Sequence, residues 1–383
     1  MALGGLAIGT TEFASMGLLP SFAGDLGVSV PQAGTAISAY ALGVVVGAPI
    51  LAVLGARWPR KRLVIALAAA LGVANVLSAL APTFGTFVAT RFLAGLPHGA
   101  YFGTASVLAA SLVPQEKRPR AIATVMSGLM IANIIGVPGA TWLGQAAGWP
   151  AAYLTVGVIA LVTMAAIYVL VPDVREETRG SIVGELSALR RGQVWITMAV
   201  IAAGFGGTFA VYSYVTPVLT EVSGLAESAV PIALAVFGLG MTLGNQVGGR
   251  LAEKAPVRTI AVGMGVASLA TASFAVVAGS AVAAIIALFA LSFASTSTTP
   301  ALATRLMDAG REGPTLGAAL HHAAFNVSNA LGAALGGVVL AAGWGWTSPA
   351  AVAALLPLLG LGTLAIAVRM ERNERRANLA LAA

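Results

Sequence analysis

The chain holds 383 residues, of which 58% are hydrophobic and only 9% charged. A typical soluble domain carries roughly 25% charged residues, so this composition cannot cover a water-facing surface and excludes a soluble enzyme. The net charge of +7 invites a nucleic-acid partner, an idea removed below by where the charges lie, and the absence of Cys excludes disulfides and thiolate metal sites.

In chain order, apolar stretches fall at about residues 2–21, 32–54, 63–81, 85–112, 120–146 and 151–171, then at about 194–219, 229–251, 259–279, 282–304, 315–341 and 349–368. Each is near the length of about 20 residues that a spanning helix needs. Period-2 alternation is missing, and lipid leaves open backbone groups no partner, so all twelve are expected to be α-helices. The first stretch lacks the basic start of a cleavable signal and reads as a membrane helix.

Charge orients them. With the N-terminus in the cytoplasm, 20 of the 21 basic residues fall in segments on that side, from Arg57, Arg60, Lys61 and Arg62 to the tail at Arg369–Arg376. The opposite loops carry only Asp25, Glu221 and Glu227. This is the positive-inside pattern. The basic excess is therefore a topology signal, both termini are expected to be cytoplasmic, and no nucleic-acid partner is expected.

The polar stretch at 173–193 divides the chain into six spans at 1–172 and six at 194–383. The two parts resemble each other at a constant shift of 197 residues: Gly27 matches Gly224, Pro20 matches Pro217, Pro59 matches Pro256, and Gly148-Trp149 matches Gly345-Trp346. Six spans per copy means parallel repeats, for which a site near the midplane between the copies is expected.

The motifs narrow this further. After the second span, Ala52-Val-Leu-Gly-Ala56-Arg57-Trp-Pro59-Arg60-Lys-Arg62 resembles the signature loop of the major facilitator superfamily, with Ala56 where an acid is usual and Pro59 where a Gly is usual. The second copy, Gly249-Arg-Leu-Ala-Glu253-Lys254, keeps the acid. Arg91-Phe-Leu-Ala-Gly95 resembles the family's fourth-helix pattern, and Asn133-Ile-Ile-Gly136-Val-Pro138-Gly139 its antiporter motif. With Gly9-Thr-Thr-Glu12 and Phe325-Asn326-Val-Ser-Asn329, the chain is similar to the drug:proton antiporter branch, near arabinose-type sugar efflux and chloramphenicol-resistance permeases. The resemblance implies an all-α polytopic protein of two six-helix bundles, a monomer in a bacterial inner membrane. It implies export of a small neutral or lipophilic molecule, a drug or a sugar, in exchange for protons. A proton-independent facilitator or a proton symporter for sugars or nucleosides is the alternative. Without a P-loop, no cofactor is expected and the proton gradient supplies the energy.

Ionisable groups inside a membrane are costly and point to function. Here they are Glu12, Arg91, His98, His321 and His322. At 1.5 Å per residue, Glu12 lies about 14 Å below the outer end of its span, between Arg91 at about 10 Å and His98 at about 21 Å. Glu12, Arg91 and His98 are therefore the expected proton-coupling group. His322, Asn326 and Asn329 share one helical face and are expected to line the cavity with His321, Tyr40, Tyr101, Asn133, Tyr212, Tyr214, Asn245 and Gln246. Arg57, Pro59, Arg60, Gly136, Pro138, Gly139, Gly249, Glu253 and Lys254 are expected to act in the conformational change.

Overall fold

The computed structural model describes residues 1–55, 57–173, 188–310 and 314–382. Ala56, Arg311 and most of the expected linker, 174–187, lie outside these.

Among the described residues every regular element is a helix. The elements are α1 (Ala2–Gly17), α2 (Leu19–Asp25), α3 (Val30–Gly55), α4 (Arg60–Ala79), α5 (Phe84–Gly95), α6 (His98–Ser111), α7 (Arg118–Ile131), α8 (Val137–Ala147) and α9 (Trp149–Leu170). They continue as α10 (Gly192–Ser213), α11 (Val230–Lys254), α12 (Pro256–Val277), α13 (Ala281–Ser297), α14 (Thr299–Ala309), α15 (Pro314–Ala341), α16 (Ser348–Ala353) and α17 (Leu355–Ala382). Among the described residues, ten helical spans are long and apolar enough to cross a membrane, and α1 with α2, bent by 68°, makes an eleventh. The stretch expected as the fourth span is instead two helices, α5 and α6, each too short alone. Pro97 explains the break: it has no N–H to continue the ladder, and Leu96 N–H turns to Leu93 O at 3.3 Å. Pro20 sits in the first turn of α2, just beyond the bend between α1 and α2.

Outward faces are apolar. Leu42, Val46, Ile50 and Leu54, one turn apart along α3, are all exposed, the pattern of a lipid-facing stripe. By contrast α1 is enclosed, with every residue from Ala7 to Gly17 buried. Its Gly, Ala, Ser and Thr residues let neighbours approach closely.

The 197-residue repeat is visible in the backbone. Gly27 and Gly224 turn at φ 67° and 65°, and Gly148 and Gly345 at 84° and 89°, left-handed values that Gly adopts without steric cost. The contacts between the first and second halves of the chain also obey it. α3 packs along α15, and α11 packs on α8 and on the π-helical turn Ala132–Gly136 that precedes it. These two seams exchange under the repeat, and α1 lies between them.

Candidate functional site

Glu12 is 3% exposed. Its Oε1 has no hydrogen-bond partner, and its Oε2 lies 4.0 Å from His98 Nδ1. From the second half of the chain, the amides of Asn326 and Asn329 on α15 face the carboxylate. Asn326 Nδ2 donates to His322 O at 3.1 Å, leaving its Oδ1 without a partner. Both amide atoms of Asn329 and Nδ1 of His321 are likewise buried and unpartnered. Buried polar atoms are almost always satisfied, so a cluster of orphans from two sides of one interface marks a place built for something else to bind.

His98 opens α6. Its Nδ1 is 3.1 Å from the Tyr40 hydroxyl, and its ring centre is 5.2 Å from that of His322. His322 stacks on Phe102, 4.7 Å between centres and 7° between planes. The site is thus one group of Glu12, Tyr40, His98, His322, Asn326 and Asn329, from α1, α3, α6 and α15. Against it lies an aromatic box of Phe13, Phe205, Phe209, Tyr212, Phe237 and Phe325. Phe13 stacks on Phe209 at 6.3 Å and Tyr212 on Phe237 at 4.0 Å. The free space inside is about 10 Å³, close to the minimum for a single water.

Arg91 is fully buried but makes no ion pair with Glu12 among the described residues. Its Nη1 donates to Thr11 Oγ1 at 2.8 Å and to Asn75 Oδ1 at 3.4 Å, and its Nη2 donates to Thr11 O at 2.9 Å. The guanidinium lies over the rings of Tyr40 at 4.6 Å and Tyr153 at 5.0 Å. Oxygen dipoles and aromatic faces thus hold the charge. Tyr40 joins Arg91 on α5 to His98 on α6, with its ring under the guanidinium and its hydroxyl at His98 Nδ1. Arg91 fixes the backbone immediately before Glu12. Thr11, Asn75 and Tyr153 are functional neighbours that the sequence reading missed. Only the polar character of Asn75 and Tyr153 in otherwise apolar spans signals them.

Other expected lining residues lie elsewhere. Tyr101 donates its hydroxyl to Met1 O at 2.8 Å and ties α6 to the start of α1. Tyr214 donates to Ala333 O at 2.8 Å, and its ring end fills the space beside Gly34 and Gly336. Both hydroxyls are spent on backbone, which corrects their placement in the cavity. Asn133 Nδ2 donates to Leu129 O at 2.9 Å. Gln246 is exposed and Asn245 half-buried, so neither joins the buried group.

The motif residues have structural reasons. Pro138, in the first turn of α8, cannot donate to Ile134 O, and the widened turn at Ala132–Gly136 accommodates this. Gly136 packs on Thr10, whereas Gly139 faces open space. Arg57 and Pro59 are exposed and Arg60 half-buried at the start of α4. An ion pair there joins Lys61 Nζ to Asp173 Oδ1 at 3.1 Å. Gly249 and Glu253 line a cleft of about 910 Å³ with Arg191, Arg305, Asp308 and Glu371. Arg305 pairs with Glu371 at 3.0 Å, and Lys254 is exposed at the end of α11. No metal-binding cluster occurs among the described residues.

Comparison with known proteins agrees with this architecture. The family model described as Major Facilitator Superfamily matches residues 1–318. The inner membrane transport protein YdhP of Escherichia coli (strain K12) is 37% identical over 361 residues, covering 94% of this chain and 93% of that protein. The AraJ protein of the same strain is 34% identical over 375 residues, covering 98% and 95%. A chloramphenicol resistance protein of Streptomyces lividans is 35% identical over 355 residues, covering 91% and 89%. Among solved structures, a bacterial homolog of the human lysosomal transporter Spinster superposes with a TM-score of 0.74 at 15% identity, covering 96% and 95%. With helices of spanning length, a family match over most of its length and relatives matched nearly end to end, the chain belongs to the major facilitator superfamily, a multi-pass inner-membrane transporter and not an enzyme.

Proposed function

We propose that the protein is a proton-coupled efflux antiporter that exports a small neutral or lipophilic molecule by alternating access. In this reading twelve spans form two six-helix bundles, 1–172 and 194–383, joined by a linker at 173–193. Both termini are cytoplasmic and the protein works as a monomer. One observation carries the proposal: a carboxyl group 3% exposed, with an orphaned Oε1, sits against Asn326 Oδ1 and the Asn329 amide, which are also without partners, from the other half of the chain. In a low-dielectric site the charged form is penalised unless a partner arrives. Either a proton or a hydrogen-bonding substrate satisfies Glu12, and the two compete. Competition for one site in two alternating conformations gives exchange, because each ligand shifts the population by its differential affinity.

The aromatic box beside the polar group supports a substrate with an apolar portion. The resistance protein among the relatives favours a drug over a sugar. Chloramphenicol in proteoliposomes under an imposed pH difference tests the proposal. The wild type is expected to accumulate it against its gradient. Glu12→Gln, which keeps shape but carries no exchangeable proton, is expected to equilibrate it without accumulation. Undiminished accumulation by Glu12→Gln refutes the assignment of Glu12.

A further inference from the structure

The two histidines that meet across the seam between α6 and α15 are not explained by substrate exchange at Glu12 alone. His98 is 1% exposed and enclosed with Glu12, whereas His322 is only half-buried. His322 lies about 12 Å from the start of α15, while His98 lies about 20 Å from the end of α6 on the same side, by the helical rise. A row of proton-accepting groups therefore leads from the enclosed carboxyl towards the surface on the side of the termini. The steps are 4.0 Å from Glu12 Oε2 to His98 Nδ1 and 5.2 Å between the ring centres of His98 and His322. Each is within reach of a hydrogen bond, directly or through one water.

We propose that His322 is a proton-relay residue: it accepts the Glu12 proton from His98 and delivers it to water on the side of the termini. The inference rests on the proton-coupled reading above. Glu12 gives its proton to His98, leaving a carboxylate and an imidazolium. The imidazolium gives a proton to neutral His322, which releases it to water. Charge and protons balance, and no other reactant is needed.

The surroundings of His322 suit that role. From α6 it faces His98 and the apolar Phe102, and its own helix adds His321, 5.8 Å away between ring centres. α3 brings one titratable group, Tyr40, which holds His98 in place. α10 and α16 carry no charged residue. On α14, Arg305 and Asp308 line the separate cleft. No fixed charge therefore traps the proton on His322. Because His98 belongs to the first half of the chain and His322 to the second, separation of α6 from α15 breaks the row. The relay is complete only in the conformation in which that seam is closed.

The test uses the purified full chain in detergent, an alkaline pH jump and a pH-indicating dye, without substrate. The wild type is expected to release the Glu12 proton in a fast phase that Glu12→Gln lacks. His322→Phe keeps a ring on Phe102 but carries no proton. It is expected to slow that phase by on the order of 100-fold while preserving its amplitude. His322→Gln, which loses the stack, is expected to do the same. A phase as fast in His322→Phe as in the wild type overturns the relay and leaves the role of Glu12 standing. Identical proton release by the wild type and Glu12→Gln overturns both.

Discussion

The seam between α11 and the π-helical turn offers a sharp test of alternating access. A Cβ added at Gly238 lies 2.1 Å from Asn133 O and 2.5 Å from its carbonyl carbon, where ordinary contact begins at 3.4 Å. The obstacle is backbone, which cannot rotate away, so Gly238→Ala must push the two elements apart by on the order of 1 Å. Overpacking of this kind costs about 1–3 kcal/mol. If the seam opens and closes during transport, only the closed form bears that cost, and its population relative to the open form falls about 5- to 150-fold. Gly238 lies eight residues into α11, towards the end opposite the termini, so the shift favours opening on that side. The assay exploits a chain without Cys. Thr216 is 5% exposed and its hydroxyl donates to Gly17 O at 3.0 Å, beside the seam, where Gly17 packs against Thr141 of α8 and Leu234 of α11. In a Thr216→Cys background, labelling by an impermeant maleimide from the side opposite the termini is expected to quicken about 5- to 150-fold with Gly238→Ala. Gly139→Ala, where the added Cβ meets nothing within 4 Å, is expected to leave the rate unchanged. An unaltered labelling rate in Gly238→Ala, with the whole penalty seen as lost thermal stability, refutes the argument that the seam opens.

Further expectations concern Arg91 and topology. Arg91→Lys keeps the charge but loses the planar fork that reaches both Thr11 oxygens and stacks between two rings, so stability is expected to fall by about 1.5–3 kcal/mol in denaturant or thermal unfolding. Equal stability of Arg91→Lys and wild type removes the role given to this network. For topology, single Cys at the exposed positions Ser29 and Ser280 is expected to react with an impermeant reagent added outside intact cells, and Cys at Ser111 is not. Reaction at Ser111 reverses the orientation read from the basic residues.

The helical membrane fold is legible because lipid imposes few solutions, and apolar length marks the helices. The repeat was legible because a left-handed turn needs Gly at Gly27, Gly148 and their partners. Helix breaks were less so. Pro20 and Pro97 are visible in the sequence, but Pro49 lies inside the unbroken α3, so proline alone does not separate a break from a tolerated kink. Of the buried polar group, Glu12, His98, His322, Asn326 and Asn329 are conspicuous in the sequence because each is an ionisable or amide group in an apolar span and the last three share a face. Tyr101 and Tyr214 were misplaced because a Tyr hydroxyl that donates to a backbone carbonyl has the same sequence signature as one facing a cavity. The partners of Arg91 were missed because an arginine in a membrane span leads one to expect a carboxylate. A hydroxyl, two carbonyl oxygens and two aromatic faces do the same work here.

The repeat also explains why the site is one-sided. Glu12 aligns with Phe209 at the 197-residue shift, and in the structure Phe209 stacks on Phe13, the neighbour of Glu12. Symmetry therefore brings α1 and α10 together at the middle of the molecule, while chemistry distinguishes them. A second carboxyl at residue 209 would face the first across a low-dielectric gap, where like charges cannot both ionise cheaply. An aromatic ring there instead closes the apolar side of the box and leaves one carboxyl to be neutralised. The amides that face that carboxyl come from α15, which packs along α3 and α6 across the seam. Neither half of the chain holds the complete polar group by itself. Any motion that parts α15 from α6 therefore changes what Glu12 can bind, and this joins a single titratable residue to the rearrangement of the whole molecule.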